Sequence, residues 1–577
     1  MTETTPVPAA SAHECKFALY FEAQDGSRND LLLIKEYEHT PDGRQIPHLR
    51  KKYNYKRPFW VTRESFRKHK DKKEWELIDR LQRYESTQID LVPNIARALG
   101  RAPTQTTLRM MSRSPYLYGC DVTTPVLIKR AYMDKWPNAI SDNRVAMLDS
   151  ETDMLKSPGQ PGYQEIIMLS ITMKDKAKIV IVNDYIDTVY DAEAQIHRAM
   201  VKYLGDPESS LGDLITKRGI NLEVEFAKNA GECVHRILKT AHEWKPDIVG
   251  IWNMNYDLPK MISALQTYGY DLAQEFSDPS IPEPFKFFKY IEGNAQKVTA
   301  SGKTMALHPA EQWHVVQCPA SFYFLDAMCV YLKLRIAKGK EQSYALDAIL
   351  QKHLGIRKLK FSEADHVGGG KWHMFMQQNY KVEYCIYNLF DCISLEMLDD
   401  KTTDLKRMVT TMCGHSEFHR FPSQPRRTCD DLHFFALQNG KVAATTSDKM
   451  IDELDELVVD LTDWIVTLPS YMVADEGLRA VEELPGVGTT VFAHVADLDV
   501  EGTYPNEEII LNISKETTAA ELSKIQGIST PVQRAIGINL SGGNVNAVEI
   551  CMQAFNAPSF DELLVHFQRT INQPSVV

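Results

Sequence analysis

Apolar runs alternate with turn signals from Phe17 to Trp60. Ala18-Leu19-Tyr20-Phe21 and Leu31-Leu32-Leu33-Ile34 are separated by Asp25-Gly26, and Asp42-Gly43 follows the second run. Strand-length apolar segments bounded by Asp-Gly pairs predict a small β-rich module. A second group of strand patterns begins at Val145-Ala146-Met147-Leu148 and continues with Ile166 to Ile171 and Ile179 to Val182. It gives way to helical spacing from about Glu193 to Tyr203. Strands mixed with helices from there on predict an α/β domain. Ser301-Gly302, between Lys297-Val298-Thr299 and Thr304-Met305-Ala306-Leu307, predicts a hairpin. Helical spacing continues past Asp391 through Leu395, Met397 and Leu398, and the stretch from Asp400 to Asp448 reads as charged and connective. A last domain begins near Lys449 and includes the apolar strand Val491-Phe492-Ala493-His494-Val495, which leads into Asp499.

With 577 residues, 44% apolar and 25% charged, the chain is ordinary globular material and long enough for two or three domains. The first residues are polar and acidic, and no uncharged apolar run of about 18 residues occurs, so neither export nor a membrane span is expected. Ten cysteines without a Cys-x-x-Cys pair suggest no zinc site and no disulfide framework, which fits a reducing cytoplasm. A net charge of −12 moves any attraction for phosphate onto local patches. Between His48 and Lys73 eleven Lys and Arg, among them Lys51, Lys52 and Arg57, are interleaved with Tyr53, Tyr55, Phe59, Trp60 and Phe66. Cations that track a backbone and rings that stack predict a strand-binding surface; a solvated helix face beside a small aromatic core is the alternative.

Four short acidic motifs carry the candidate chemistry. The first is Met147-Leu148-Asp149-Ser150-Glu151-Thr152. On a strand, residues two apart share a face, so Asp149 and Glu151 present both carboxylates to one spot, at the end of an apolar strand where burying two like charges is costly without cations. The second, Trp252-Asn253-Met254-Asn255-Tyr256-Asp257-Leu258-Pro259, puts Asp257 at a strand-to-helix junction, where the alternative role is a helix N-cap. The third, Tyr387-Asn388-Leu389-Phe390-Asp391, places Tyr387 and Asp391 on one helical face, an arrangement that an exposed Tyr/Asp pair would also show. Four carboxylates converging from two strand ends and two helices suit two hard divalent cations, Mg²⁺ or Mn²⁺, about 4 Å apart, with Tyr387 orienting a water. The fourth motif is Asp499-Val500-Glu501-Gly502-Thr503-Tyr504-Pro505-Asn506.

At these residues the chain resembles the front part of a family B DNA polymerase of the T-even-like bacteriophage branch. Tyr116-Leu117-Tyr118-Gly119-Cys120-Asp121-Val122, Ser343-Tyr344-Ala345-Leu346-Asp347, Lys358-Leu359-Lys360-Phe361 and Asn512-Ile513-Ser514-Lys515-Glu516-Thr517 resemble stretches of those enzymes in the same order. The resemblance implies a multidomain α/β (α+β) chain with four parts. These are an N-terminal domain over 1–143, its first ~14 residues disordered; a ribonuclease-H-like 3′-to-5′ exonuclease domain over 144–404; a connector over 405–448 returning to the N-terminal domain; and a partial palm over 449–577. It implies that Asp149, Glu151, Asp257 and Asp391 bind metal, that Tyr387 is the exonuclease tyrosine, and that Lys358 contacts the scissile phosphate. The hairpin at Ser301-Gly302 resembles one that parts primer from template. Family members commonly have an Asn five residues before the second-motif Asp, whereas Asn253, the DNA-contacting candidate, stands four before Asp257.

Asp499 resembles a palm metal ligand and Tyr504 the ring beneath the incoming sugar, with Gly502-Thr503 in place of the usual Ser-Leu. The finger motif Lys-x-x-x-Asn-Ser-x-Tyr-Gly and an Asp-Thr-Asp motif are not found in the sequence. One palm aspartate does not complete two-metal nucleotidyl transfer. The expectation is therefore a split polymerase acting in the cytoplasm of an infected bacterium. It would edit DNA ends alone and polymerise with a second polypeptide carrying fingers, remaining palm and thumb, through which a sliding clamp would be met. The alternatives are a free-standing exonuclease and a non-catalytic replisome subunit that binds primer–template DNA.

Overall fold

The structure, a computed structural model, describes residues 11–103, 107–209, 211–298, 303–336, 340–408, 424–446, 480–484 and 489–492. Packing divides the chain into two compact units, Met1–Thr445 and Thr446–Val577. In the second, the described residues are Thr446 and the strands Ala480–Leu484 and Thr489–Phe492, which pair antiparallel. Val491 and Phe492 of the expected apolar strand lie there; its remainder, with Asp499 and Tyr504, lies outside the described residues.

The first unit is mixed α/β. It opens with an antiparallel sheet of β1 (Ala12–Glu22), β2 (Asp30–His39) and β3 (Gln45–Tyr53). Gly26 and Gly43 adopt φ of +75° and +83° in the two turn segments, conformations that side chains with a Cβ rarely adopt. The sheet corrects one expectation, because β1 reaches back to Ala12 and so orders residues assigned to a disordered start. The central strand β2 is apolar on both faces for a physical reason. Leu32 and Ile34 pack on Ile128 of helix Thr124–Lys135, and Leu31 and Leu33 pack on Ile281 and Phe285. Lys35 is buried and donates to the Lys245 carbonyl at 3.0 Å, while the Tyr37 hydroxyl donates to Asp247 Oδ1 at 3.0 Å. These bonds fasten the sheet to the chain entering a further core of the same unit.

That core is a six-stranded sheet made of β4 (Val145–Thr152), β5 (Ile166–Met173), β6 (Lys176–Val182), β7 (Asn221–Ala227), β8 (Ile248–Ile251) and β9 (Tyr323–Asp326), in the order β7-β6-β5-β4-β8-β9. β5 runs antiparallel to both β4 and β6, whereas β8 is parallel to β4 and to β9. Helices cover both faces. α1 (Ala192–Leu204) and the 22-residue α5 (Lys381–Thr402) pack on Met168, Ile179 and Ile181. α2 (Ala230–Trp244) and α3 (Met254–Thr267) pack on Ala146, Leu148, Leu169 and Ile171. Leu169 and Met168 thus fall into different cores, as the period of two along a strand requires.

The stretch from Asp400 to Asp448 is more ordered than a connective reading allows. It contains helix Gln424–Gln438 and strand Lys441–Ala443, which pairs antiparallel with Trp75–Leu77. Three residues are too few to show a period, and Val442 is buried by Trp60, Leu81 and Tyr118, all distant in sequence. Strands Gln296–Val298 and Thr304–Ala306 pair antiparallel around the expected hairpin, whose Ser301 and Gly302 lie outside the described residues. Among the described residues no helix is long and apolar enough to cross a membrane.

Candidate active site

Three of the sequence motifs meet at one end of the six-stranded sheet. β4 delivers Asp149 and Glu151 toward α5, which carries Tyr387 and Asp391 one helical turn apart. From the opposite face, the first turns of α3 bring Asp257 to the same strand end. Helix α3 begins at Met254, so Asp257 lies inside it and is not its N-cap; that position belongs to Asn253. The start of α3 is held by Asp326, at the end of β9, whose Oδ2 accepts from the Met254 N–H at 2.9 Å. Asp149, Glu151 and Asp391 each place a carboxylate oxygen within 4.8 Å of the others.

Each of the four carboxylates has one oxygen fastened by a protein donor. Asn388 Nδ2 donates to Asp149 Oδ2 at 2.8 Å and is itself held by the Ser170 hydroxyl, which donates to Asn388 Oδ1 at 2.5 Å. The Tyr384 hydroxyl donates to Glu151 Oε2. The Ser150 N–H and hydroxyl donate to Asp257 Oδ1 at 3.1 and 2.5 Å. Lys358 Nζ donates to Asp391 Oδ2 at 2.6 Å, while Asp391 Oδ1 is buried without a hydrogen-bond partner. A buried acceptor left unpaired is costly unless something else satisfies it.

The protonation of these acids reflects the same crowding. Burial, reinforced by Asp257, Asp391 and Glu151, pushes the Asp149 carboxyl well above the usual carboxylate range. Burial pushes Glu151 up to about 8 against the Tyr384 hydrogen bond, and Asp257 up to about 6 against the two Ser150 donors. Asp391 is also raised by burial, opposed by Lys358. Acids that resist ionisation, in a donor set made only of oxygens, could hold a metal ion, which would supply positive charge, and Asp149, Glu151 and Asp391 are the three whose oxygens lie close enough together to share one. The free Asp391 oxygen and the cluster's dimensions agree with that fit.

Tyr387 and Asp391 are buried, which removes the reading of an exposed pair. Lys358 Nζ donates to the Tyr387 hydroxyl at 3.2 Å and sits 5.1 Å from that ring's centre. Burial works against the Lys358 ammonium, yet Asp391, Tyr387 and Asp149 outweigh it and hold its pKa above the usual value. All of these groups line an open cleft of about 460 Å³, whose other wall includes Trp252, His308 and Tyr344. Asn253 also lines the cleft, with Oδ1 buried and unpartnered. The sequence reading missed Asn388, Tyr384, Ser150 and Asp326. Asn388 and Ser150 were visible inside the quoted motifs, but their partners come from other strands and helices.

The basic segment 48–73 does not behave as one surface, and Arg57 requires a correction. It is 1% exposed, and its guanidinium donates to Gln88 Oε1 at 3.0 Å and the Gly119 carbonyl at 3.2 Å. Arg57 opens a strand whose other residues are mostly buried, so it faces the core and presents no exposed surface for DNA. Lys51 Nζ donates to the Ser280 carbonyl at 2.6 Å, and Lys52 lies over the Tyr55 ring. Lys72 donates to the carbonyls of Ser112 and Thr445. Lys56, Lys68 and Lys70 are exposed.

No protein-family model matches the chain, and no curated protein matches it.

Proposed function

We propose that this chain is a 3′-to-5′ exonuclease that hydrolyses the terminal phosphodiester of DNA. The observation that carries the proposal is the set of four carboxylates, each with one oxygen fastened by the protein, gathered at an open cleft beside Tyr387 and Lys358. The six-stranded sheet supports a ribonuclease-H-like reading. Its first three strands form an antiparallel meander, β7 adds in parallel beside the third, and two further parallel strands follow on the side of the first.

Asp149, Glu151, Asp257 and Asp391 would hold two Mg²⁺ or Mn²⁺ ions, which when bound activate a water and neutralise the charge on the departing 3′-oxygen. Tyr387, neutral because burial and Asp391 raise its pKa, orients the attacking water through its hydroxyl. Lys358 offers a fixed positive charge to the phosphate, and Asn253, which lines the cleft, lies beside the bound strand. Polymerisation, with a second polypeptide and a clamp, rests on the sequence resemblance and on Asp499 and Tyr504, outside the described residues.

The test is the identity of the first product. A 3′-labelled single strand with Mg²⁺ should release labelled mononucleotide carrying a 5′-phosphate. Release of labelled oligonucleotides, or of no product with either Mg²⁺ or Mn²⁺, would refute the proposal.

A further inference from the structure

Tyr384 lies one turn before Tyr387 on α5, and the two rings are parallel within 4° with centroids 5.8 Å apart. Tyr387 opens onto the cleft, whereas Tyr384 is wholly buried and spends its hydroxyl on Glu151. Two further groups reach the same hydroxyl. His373 Nδ1 is 2.8 Å away and Gln377 Nε2 donates at 3.4 Å. Gln377 is itself immobilised, since its Nε2 donates to the Thr152 carbonyl at 2.8 Å and its Oε1 accepts from the Met154 N–H at 2.9 Å.

The direction of each bond follows from the donor count. A tyrosine hydroxyl has one proton, and Glu151 in the carboxylate form that would bind a cation can only accept, so in that form the proton points at Oε2. Gln377 then donates into the Tyr384 oxygen. His373 must do the same, which places its proton on Nδ1 and leaves Nε2 as the acceptor. The chain of donors from Gln377 and His373 through Tyr384 to Glu151 is anchored on the backbone of the segment that follows Glu151. Deletion of the tyrosine hydroxyl therefore frees the carboxylate to rotate without removing a ligand.

We propose that Tyr384 is a positioning residue, which fixes Glu151 Oε2 so that Oε1 is aimed at the divalent cation. The role rests on the nuclease reading above, in which Glu151 binds metal. Partners of this kind around metal ligands typically govern affinity by about 10- to 100-fold.

The test uses the full chain and reads metal binding directly, by titration with Mn²⁺ followed by its electron paramagnetic resonance signal, alongside 3′ shortening of a labelled strand. Tyr384→Phe keeps the packed ring and should weaken Mn²⁺ binding about tenfold, with cleavage restored by raised metal. His373→Ala, which removes one donor to the hydroxyl, should give a smaller shift in the same direction. Tyr387→Phe should impair cleavage while leaving Mn²⁺ affinity unchanged. If Tyr384→Phe binds Mn²⁺ within about twofold of a wild type that cleaves, the positioning role is overturned and the nuclease reading stands. A wild type that neither binds Mn²⁺ nor cleaves overturns both.

Discussion

Lys358 Nζ lies 2.6 Å from Asp391 Oδ2, and this ion pair places a fixed cation among four acids, of which Asp257 and Asp391 are buried and Asp149 and Glu151 half-buried. The ammonium also donates to the Tyr387 hydroxyl, so one side chain ties the third motif's acid to its tyrosine. Its position beside the cluster, and not in a ligand's place, separates the functions of charge and coordination. Lys358→Met should reduce cleavage by about 10²-fold, the usual scale for loss of one donor to transition-state charge. The Mg²⁺ concentration giving half-maximal rate should not rise. A rise in metal requirement with an unchanged maximal rate would assign Lys358 to the metal site alone.

Stability should depend on pH and metal together. Asp149, Glu151, Asp257 and Asp391 all hold protons more tightly in the folded chain than in the unfolded one. Between the unfolded value of about 4 and the folded values the native state binds more protons, so stability falls as pH rises through that window. For Asp257 and Glu151 the fall extends through about 6 and about 8. Mg²⁺ should therefore raise the melting temperature more near about pH 8.5 than near about pH 5.5. Equal shifts at both pH values in thermal scans would contradict the burial of these charges.

Asn388 links the sheet to the site, taking a hydrogen bond from Ser170 and giving one to Asp149. Asn388→Leu leaves a buried hydroxyl and a buried carboxylate oxygen without their partner, at a cost of about 2 kcal/mol. Urea denaturation should show this as a lower midpoint with an unchanged slope. A midpoint equal to that of the wild type would mean that water replaces the amide at no cost.

Arg57 and the exposed lysines of the basic segment should separate in experiment. Arg57→Met removes donors from a buried polar cluster and should destabilise the chain by about 3 kcal/mol. Lys68→Glu with Lys70→Glu should leave stability unchanged. If the segment contacts DNA, the pair should also flatten the slope of log affinity against log salt by about 2. An unchanged slope would return the segment to a solvated role.

These contrasts show what the linear sequence carries. The period of two at Asp149 and Glu151, and the spacing of four at Tyr387 and Asp391, fix which side chains share a face whatever the wider fold. Partners across the sheet do not follow from such spacing. Asn388 is one residue from Tyr387, yet its task depends on Ser170 of an antiparallel neighbour strand. Tyr384 depends on Gln377 and His373, from the helix Gly370–Asn379, denoted α4. Arg57 misled because charge density alone does not say which face of a strand a residue takes. Lys35 is a second case, a lysine buried beside Asp247 inside an apolar strand.

The central claim is that the acidic set removes nucleotides from a 3′ end. Its most direct test is a denaturing-gel time course of the purified chain on 5′-labelled primer–template DNA with Mg²⁺, beside Asp149→Ala/Asp257→Ala. Stepwise shortening from the 3′ end that the double variant lacks is the predicted result. Equal shortening by both proteins, or none by either with Mg²⁺ or Mn²⁺, would contradict the account.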